Sequence, residues 1–139
     1  MRQNGKVVYV VDDERIIAQT VAMILTKAGY TATAFDDPIS ALAAAELSPP
    51  HLLITDVMMP GMSGVELAIR FCNSFPECKV LLFSGKAATA DLLDTARNQG
   101  YEFELLSKPV HPADLLAKLE PYILNPGSFE GNQEASEQP

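Results

Sequence analysis

The sequence predicts an α/β fold, one parallel five-stranded sheet with helices on both faces, and two observations carry that prediction. Short apolar runs such as Val7-Val8-Tyr9-Val10-Val11 and Leu52-Leu53-Ile54 show no polar alternation, as expected of strands covered on both sides. Each run is followed by a stretch of helical apolar spacing bounded by Gly or Pro, so strands and helices alternate along the chain. At 139 residues the chain has one domain's length, enough to bury a core without disulfides or a structural metal.

Taken in order, the first strand covers residues 7–11 and ends in Asp12-Asp13-Glu14. Asp favours helix N-caps and first-turn acids suit the helix dipole, but one of the three would meet that need. Ile17, Val21, Ile24 and Ala28 recur at spacings of four and three, which predicts one apolar helical stripe stopped by Gly29. Thr31-Ala32-Thr33-Ala34-Phe35 alternates polar and small apolar residues, the pattern of a strand nearer the sheet edge. Asp36 or Asp37 caps the next helix, which Pro38 starts and an alanine-rich run carries to about Leu47, before Ser48-Pro49-Pro50. The third strand ends at Asp56 and delivers that carboxylate into the turn-forming Met58-Met59-Pro60-Gly61.

After Gly61-Met62-Ser63-Gly64 a helix carries Val65, Leu67, Ala68 and Phe71, and Pro76 breaks it. Lys79-Val80-Leu81-Leu82-Phe83 is another buried strand, closing at Ser84-Gly85. A helix over about residues 89–99 turns Leu92, Leu93 and Ala96 inward, with Gly100 as its cap. The last strand is expected at about residues 102–106 and meets Ser107-Lys108-Pro109. Pro112 opens a final helix with Leu115, Leu116 and Leu119 inward. From Asn125 the composition shifts to Gly, Ser, Asn, Gln and Glu. Residues 1–124 are therefore expected to form the domain, and 125–139 a disordered acidic tail.

Composition excludes several functions. A net charge of -8 and a pI near 4.6 argue against a surface that grips nucleic acid or anionic lipid. The N-terminal apolar run is too short for a signal peptide, and no run approaches a membrane span. Cys72 and Cys78 match no metal or redox spacing, so two reduced thiols and a cytoplasmic location are expected.

Within this fold class the expected strand order is 2-1-3-4-5, the flavodoxin-like doubly wound arrangement with right-handed crossovers. Asp12 and Asp13 at the first strand's end, Asp56 at the third's, Ser84 at the fourth's and Lys108 at the fifth's then meet in one crevice. Carboxylates held together repel, so such a cluster needs a cation or shifted pKa values. Oxygen-only ligands point to a hard ion, and Mg2+ fits best because it accepts one or two carboxylates and completes its shell with water and phosphate oxygen. Asp56 is the candidate nucleophile toward a phosphate donor. Lys108 suits an ion pair with Asp56 and later with a phosphoryl oxygen, and the Ser84 hydroxyl can donate to another.

Asp12-Asp13, the segment from Asp56 through Met58 to Gly64, Ser84-Gly85 and Lys108-Pro109 together resemble the receiver domains of two-component response regulators, over residues 6–124. The resemblance implies a Mg2+-dependent phosphoacceptor at Asp56, supplied by a histidine kinase or a histidine phosphotransfer protein. It would not be an enzyme acting on others but would assist its own phosphorylation and dephosphorylation. The resemblance further implies direct Mg2+ binding by Asp13 and Asp56, Asp12 acting mostly through water, and the backbone carbonyl of Met58 as third protein ligand. A cis peptide bond is implied before Pro109. Phosphorylation is implied to draw Ser84 toward the phosphoryl group and to reshape a protein-interaction surface for a downstream partner that the sequence does not name.

One departure stands out. The family usually has Tyr or Phe three residues before the conserved Lys, where this chain has Leu105, and the nearby Phe103 should share its strand face. Switching then works by aliphatic packing or is weakened, which keeps open a receiver fold used only for docking. A haloacid-dehalogenase-type phosphatase would want a second Asp where Met58 stands. A flavin carrier would need Gly, Ser or Thr, not acids, after the first strand.

Overall fold

The computed structural model describes residues 6–85, 89–107 and 111–124, and every predicted element is present among them. Strands β1 (Val7–Val11), β2 (Thr31–Phe35), β3 (Leu52–Asp56), β4 (Lys79–Ser84) and β5 (Glu104–Ser107) alternate with helices α1 (Arg15–Lys27), α2 (Pro38–Leu47), α3 (Gly64–Ser74), α4 (Thr89–Asn98) and α5 (Pro112–Leu124). The sheet is parallel throughout with order β2-β1-β3-β4-β5, as expected. The tail at 125–139, Lys108 and Pro109 with its expected cis bond all lie outside the described residues.

Alternation along the strands splits the core in two. Tyr9, Val11, Leu53, Val57, Val80 and Leu82 pack with α2, α3 and α4, whereas Val8, Val10, Leu52, Ile54, Leu81 and Phe83 pack with α1 and α5. Successive strand side chains point to opposite faces, so a run with no polar break is what a doubly covered strand requires. All five residues of β3 are buried, which makes it the central strand in burial as well as in order.

One buried face and two boundaries differ in detail from the expectations. On α1 the fully buried positions are Ala18, Val21, Ala22 and Leu25, with Ile17, Ile24 and Ala28 at the margin. Small alanines let the helix lie close to the sheet, so its deepest line runs through them, with Ile17 and Ile24 packed along the edge of the same cluster. Strand β5 begins at Glu104, later than expected, because Tyr101 and Phe103 are used beforehand as a stacked pair with centroids 6.1 Å apart. Helix α4 ends at Asn98, one residue early.

The caps explain how α1 and α4 stop. After α1, Gly29 adopts φ 105°, its N–H donates to the Thr26 carbonyl (3.1 Å) and that of Tyr30 to Leu25 (3.0 Å). This reversal needs a left-handed residue, which glycine supplies without a Cβ clash. Gly100, Arg97, Tyr101 and Ala96 repeat the pattern after α4. At α2 the open choice is settled: Asp37 is the N-cap, accepting from the Ser40 N–H at 2.9 Å, and Asp36 serves elsewhere. Among the described residues, no helix is long and apolar enough to cross a membrane.

Candidate functional site

The strand order brings β1 and β3 side by side, and each delivers acids at its C-terminal end. Asp12 is fully buried, Asp56 is 7% exposed, and Asp13 lies open to solvent. Asp12, Asp13 and Asp56 each offer a carboxylate oxygen within 4.8 Å of the others, a group able to hold a metal ion. Sequence reasoning expected this juxtaposition, and it comes from residues more than forty positions apart.

Backbone contacts fix each acid. Asp12 Oδ1 accepts the Glu14 N–H at 2.9 Å, which bends the chain into α1, and the Asp12 N–H donates to the Phe35 carbonyl at 3.1 Å. Beyond Asp56, the Val57 N–H donates to the Phe83 carbonyl at 3.0 Å, extending the β3 to β4 pairing past the last strand residue. The buried Thr55 hydroxyl donates to the Asp56 carbonyl at 3.0 Å. Ser84, 8% exposed, ends β4 one step beyond Phe83, the partner of Asp56 in register. Met58 follows in the loop with its side chain 40% exposed. Leu105 pairs in register with Leu82 on the α4 side of the sheet and is 37% exposed.

Gly64, read from the sequence as part of the turn before the helix, has a packing role beside the site that sequence reasoning did not foresee. A Cβ built there would collide with the carbonyl oxygen of Asp56, and the Gly64 N–H donates to the Val57 carbonyl at 2.7 Å. Helix α3 therefore starts against the peptide of Asp56 itself. Ser63 caps it by accepting from the Glu66 N–H at 3.0 Å. The signal was present: glycine at a first helical position costs stability unless another backbone must pass close by.

The donor set suits a hard divalent cation. Octahedral Mg2+ keeps oxygen ligands at about 2.1 Å, so opposite ligands stand about 4.2 Å apart. A trio of oxygens spread over no more than 4.8 Å matches that span with slight closure or one bridging water.

The sequence pattern described as the response regulator receiver domain matches residues 8–120. The chain belongs to this family. The receiver is 34% identical to the response regulator receiver protein CpdR of Brucella abortus, over 86% of this chain and 98% of that one. It is 32% identical to the probable transcriptional regulatory protein TcrX of Mycobacterium tuberculosis, over 86% of this chain but only 50% of that one. Among solved structures, the receiver domain of NtrX from Brucella abortus superposes with a TM-score of 0.74 at 28% identity, covering 84% of this chain and 98% of that one. The role of this receiver is therefore in two-component signalling.

Proposed function

We propose that this receiver is switched by phosphorylation of Asp56, with a divalent cation, Mg2+ by the chemistry of its donors, held by Asp13 and Asp56, by Asp12 through water and by the Met58 carbonyl. The clustering of three carboxylates from two strand ends supports this reading above all. When bound, Mg2+ would neutralise charge on the transferring phosphoryl group. Asp56 Oδ attacks phosphorus in line, the P–N bond to the donor histidine breaks, and the imidazole nitrogen keeps the electron pair. The donor is a histidine kinase or a phosphotransfer protein. Ser84 and Lys108 are assigned to the phosphoryl oxygens, Ser84 by its place at the end of β4 and Lys108 from sequence.

The change in charge at Asp56 then biases a packing equilibrium around Ser84, α4 and Leu105. An exposed aliphatic at position 105 supports switching through packing without an aromatic ring. The two free thiols, Cys72 and Cys78, fit a reducing cytoplasm.

The test is phosphorylation by acetyl phosphate, or binding of beryllofluoride, with and without Mg2+. Wild type should take up label only with the cation, and Asp56→Ala should take up none. Label that persists in Asp56→Ala, or none on wild type, would overturn the reading, the second result favouring a receiver used only for docking. Amide exchange should change in α4 and β5 on beryllofluoride binding.

A further inference from the structure

The site end of the sheet is crowded with acids: Asp12, Asp13 and Glu14 after β1, Asp36 and Asp37 after β2, and Asp56 at the end of β3. A phosphodonor is itself an anion, so it approaches against this field. Among the described residues, Arg15 is the one Arg or Lys at this end, with Lys108 assigned to the same crevice from sequence. Lys6, Lys27, Lys79 and Arg97 lie at the opposite ends of their elements, while Arg70 pairs with Glu66 along α3 and Lys118 with Glu104.

Arg15 opens α1, two residues after Asp13. Its Nε and Nη2 both donate to a single oxygen of Asp36, at 3.1 and 2.8 Å, so the guanidinium fork is not matched to two oxygens as in a bidentate pair. Arg15 and Asp36 side chains are 69% and 39% exposed, and exposed pairs of this kind are weakly held. Asp36 follows directly on Phe35, the residue whose carbonyl holds the Asp12 backbone. Beside the pair an open groove of about 300 Å3 runs between α1 and α2, giving the side chain room to leave Asp36.

We propose that Arg15 is a specificity-determining residue for the phosphodonor: it leaves Asp36 to bind the phosphoryl oxygens of an incoming acyl phosphate or phosphohistidine, and Asp36 is the competitor that holds it back. This rests on Asp56 as the phosphoacceptor. The guanidinium takes no part in bond making. Asp56 Oδ forms the new bond to phosphorus while the donor's bond to phosphorus breaks, P–O in an acyl phosphate and P–N in phosphohistidine, and the carboxylate or the imidazole nitrogen leaves with the electron pair. A planar fork with fixed donors suits a phosphoryl group better than it suits one carboxylate oxygen.

The experiment is the rate of phosphorylation of the whole chain by acetyl phosphate at saturating Mg2+, as a function of acetyl phosphate concentration, with Mg2+ affinity measured alongside. Arg15→Gln should raise the half-saturating acetyl phosphate concentration about fivefold, and Asp36→Asn should lower it by a similar factor, the scale of one exposed charged contact. Both variants lose the same ion pair, so a merely structural role moves them in the same direction, and that result overturns the inference. Arg15→Lys should recover less than Arg15→Gln loses. The difference between the two variants should survive high salt, since a direct contact is screened less than a distant field. Its collapse in high salt also overturns the contact. Wild type that takes no label would remove the phosphoacceptor reading and this inference together. Label on wild type with unchanged kinetics in both variants would remove this inference alone.

Discussion

At the starts of the strands the backbone is closed by hydrogen bonds around Lys6, His51 and Lys79; at their finishes backbone contacts continue as well, but the side chains that gather there are acids. The Thr31 N–H donates to the Lys6 carbonyl (2.9 Å), that of His51 to Val7 (2.8 Å) and that of Lys79 to His51 (3.0 Å), so the ladder continues beyond the strands. The Val7 N–H is taken by His51 Nδ1 at 2.9 Å. Every such contact satisfies a donor and joins neighbouring strands. At the finishes the chain leaves the sheet to present carboxylate oxygens of Asp12, Asp13 and Asp56 within 4.8 Å of one another, a group of like charges that a bound cation balances. One end holds the sheet together, and the other gathers the charge that binding uses.

The strongest way to break this contrast is at the point where the site end depends on tight packing. Gly64→Val places side-chain atoms where the Asp56 carbonyl stands, so we expect a loss of about 3 kcal/mol in denaturant unfolding, the upper end of ordinary substitutions. Cation binding should be lost with it. Stability within 1 kcal/mol of wild type would show that α3 can move away freely.

Opposite signs should follow from two acids at the same end. Asp13→Asn relieves repulsion, so the metal-free protein should gain about 1 kcal/mol while its Mg2+ affinity drops. Asp37 accepts from both the backbone and the hydroxyl of Ser40, and these bonds hold its carboxyl below the ordinary 3.8. Asp37→Ala should therefore cost about 1 kcal/mol, the usual worth of an N-cap. That contribution is complete above pH 3.8 and fades as pH falls through the lowered value. A loss in both variants would refute the division of acids into like charges gathered for binding and caps.

The smallest effect belongs to the closed end. Burial, and secondarily Lys6, push the His51 imidazole below its ordinary 6.5, and in that neutral form Nδ1 accepts from the Val7 N–H. Stability from this contact is complete above pH 6.5 and declines as pH falls below it. Wild type should lose about 0.5 kcal/mol more than His51→Gln between pH 7 and 5, the scale of one exposed hydrogen bond. Parallel pH profiles would show that the imidazole does not hold the strand start.

The order and type of all ten elements were legible in the sequence, as was the trio of acids. Short-range rules govern both: strand runs, caps such as Pro38 and Gly29, and the placement of acids just after β1 and β3. The α1 stripe was legible, since Ile17, Val21, Ile24 and Ala28 all pack on the core, but periodicity alone does not say that Ala18, Ala22 and Leu25 lie deeper beside them; the distance left for the helix does. Phe103 was placed within β5, but its ring is used in a stack with Tyr101 before the strand begins.

By itself the sequence determined where the chain would extend, coil and turn, and which end of the sheet would carry the chemistry, because those depend on neighbours within a few residues. Only the tertiary structure decided that Asp36 is drawn to Arg15, leaving Asp37 to cap α2, and that the bare Cα of Gly64 is where the Asp56 carbonyl passes. The Arg15 to Asp36 and Asp56 to Gly64 contacts join segments twenty-one and eight residues apart, with a spacing set by sheet order and helix packing that no local pattern contains.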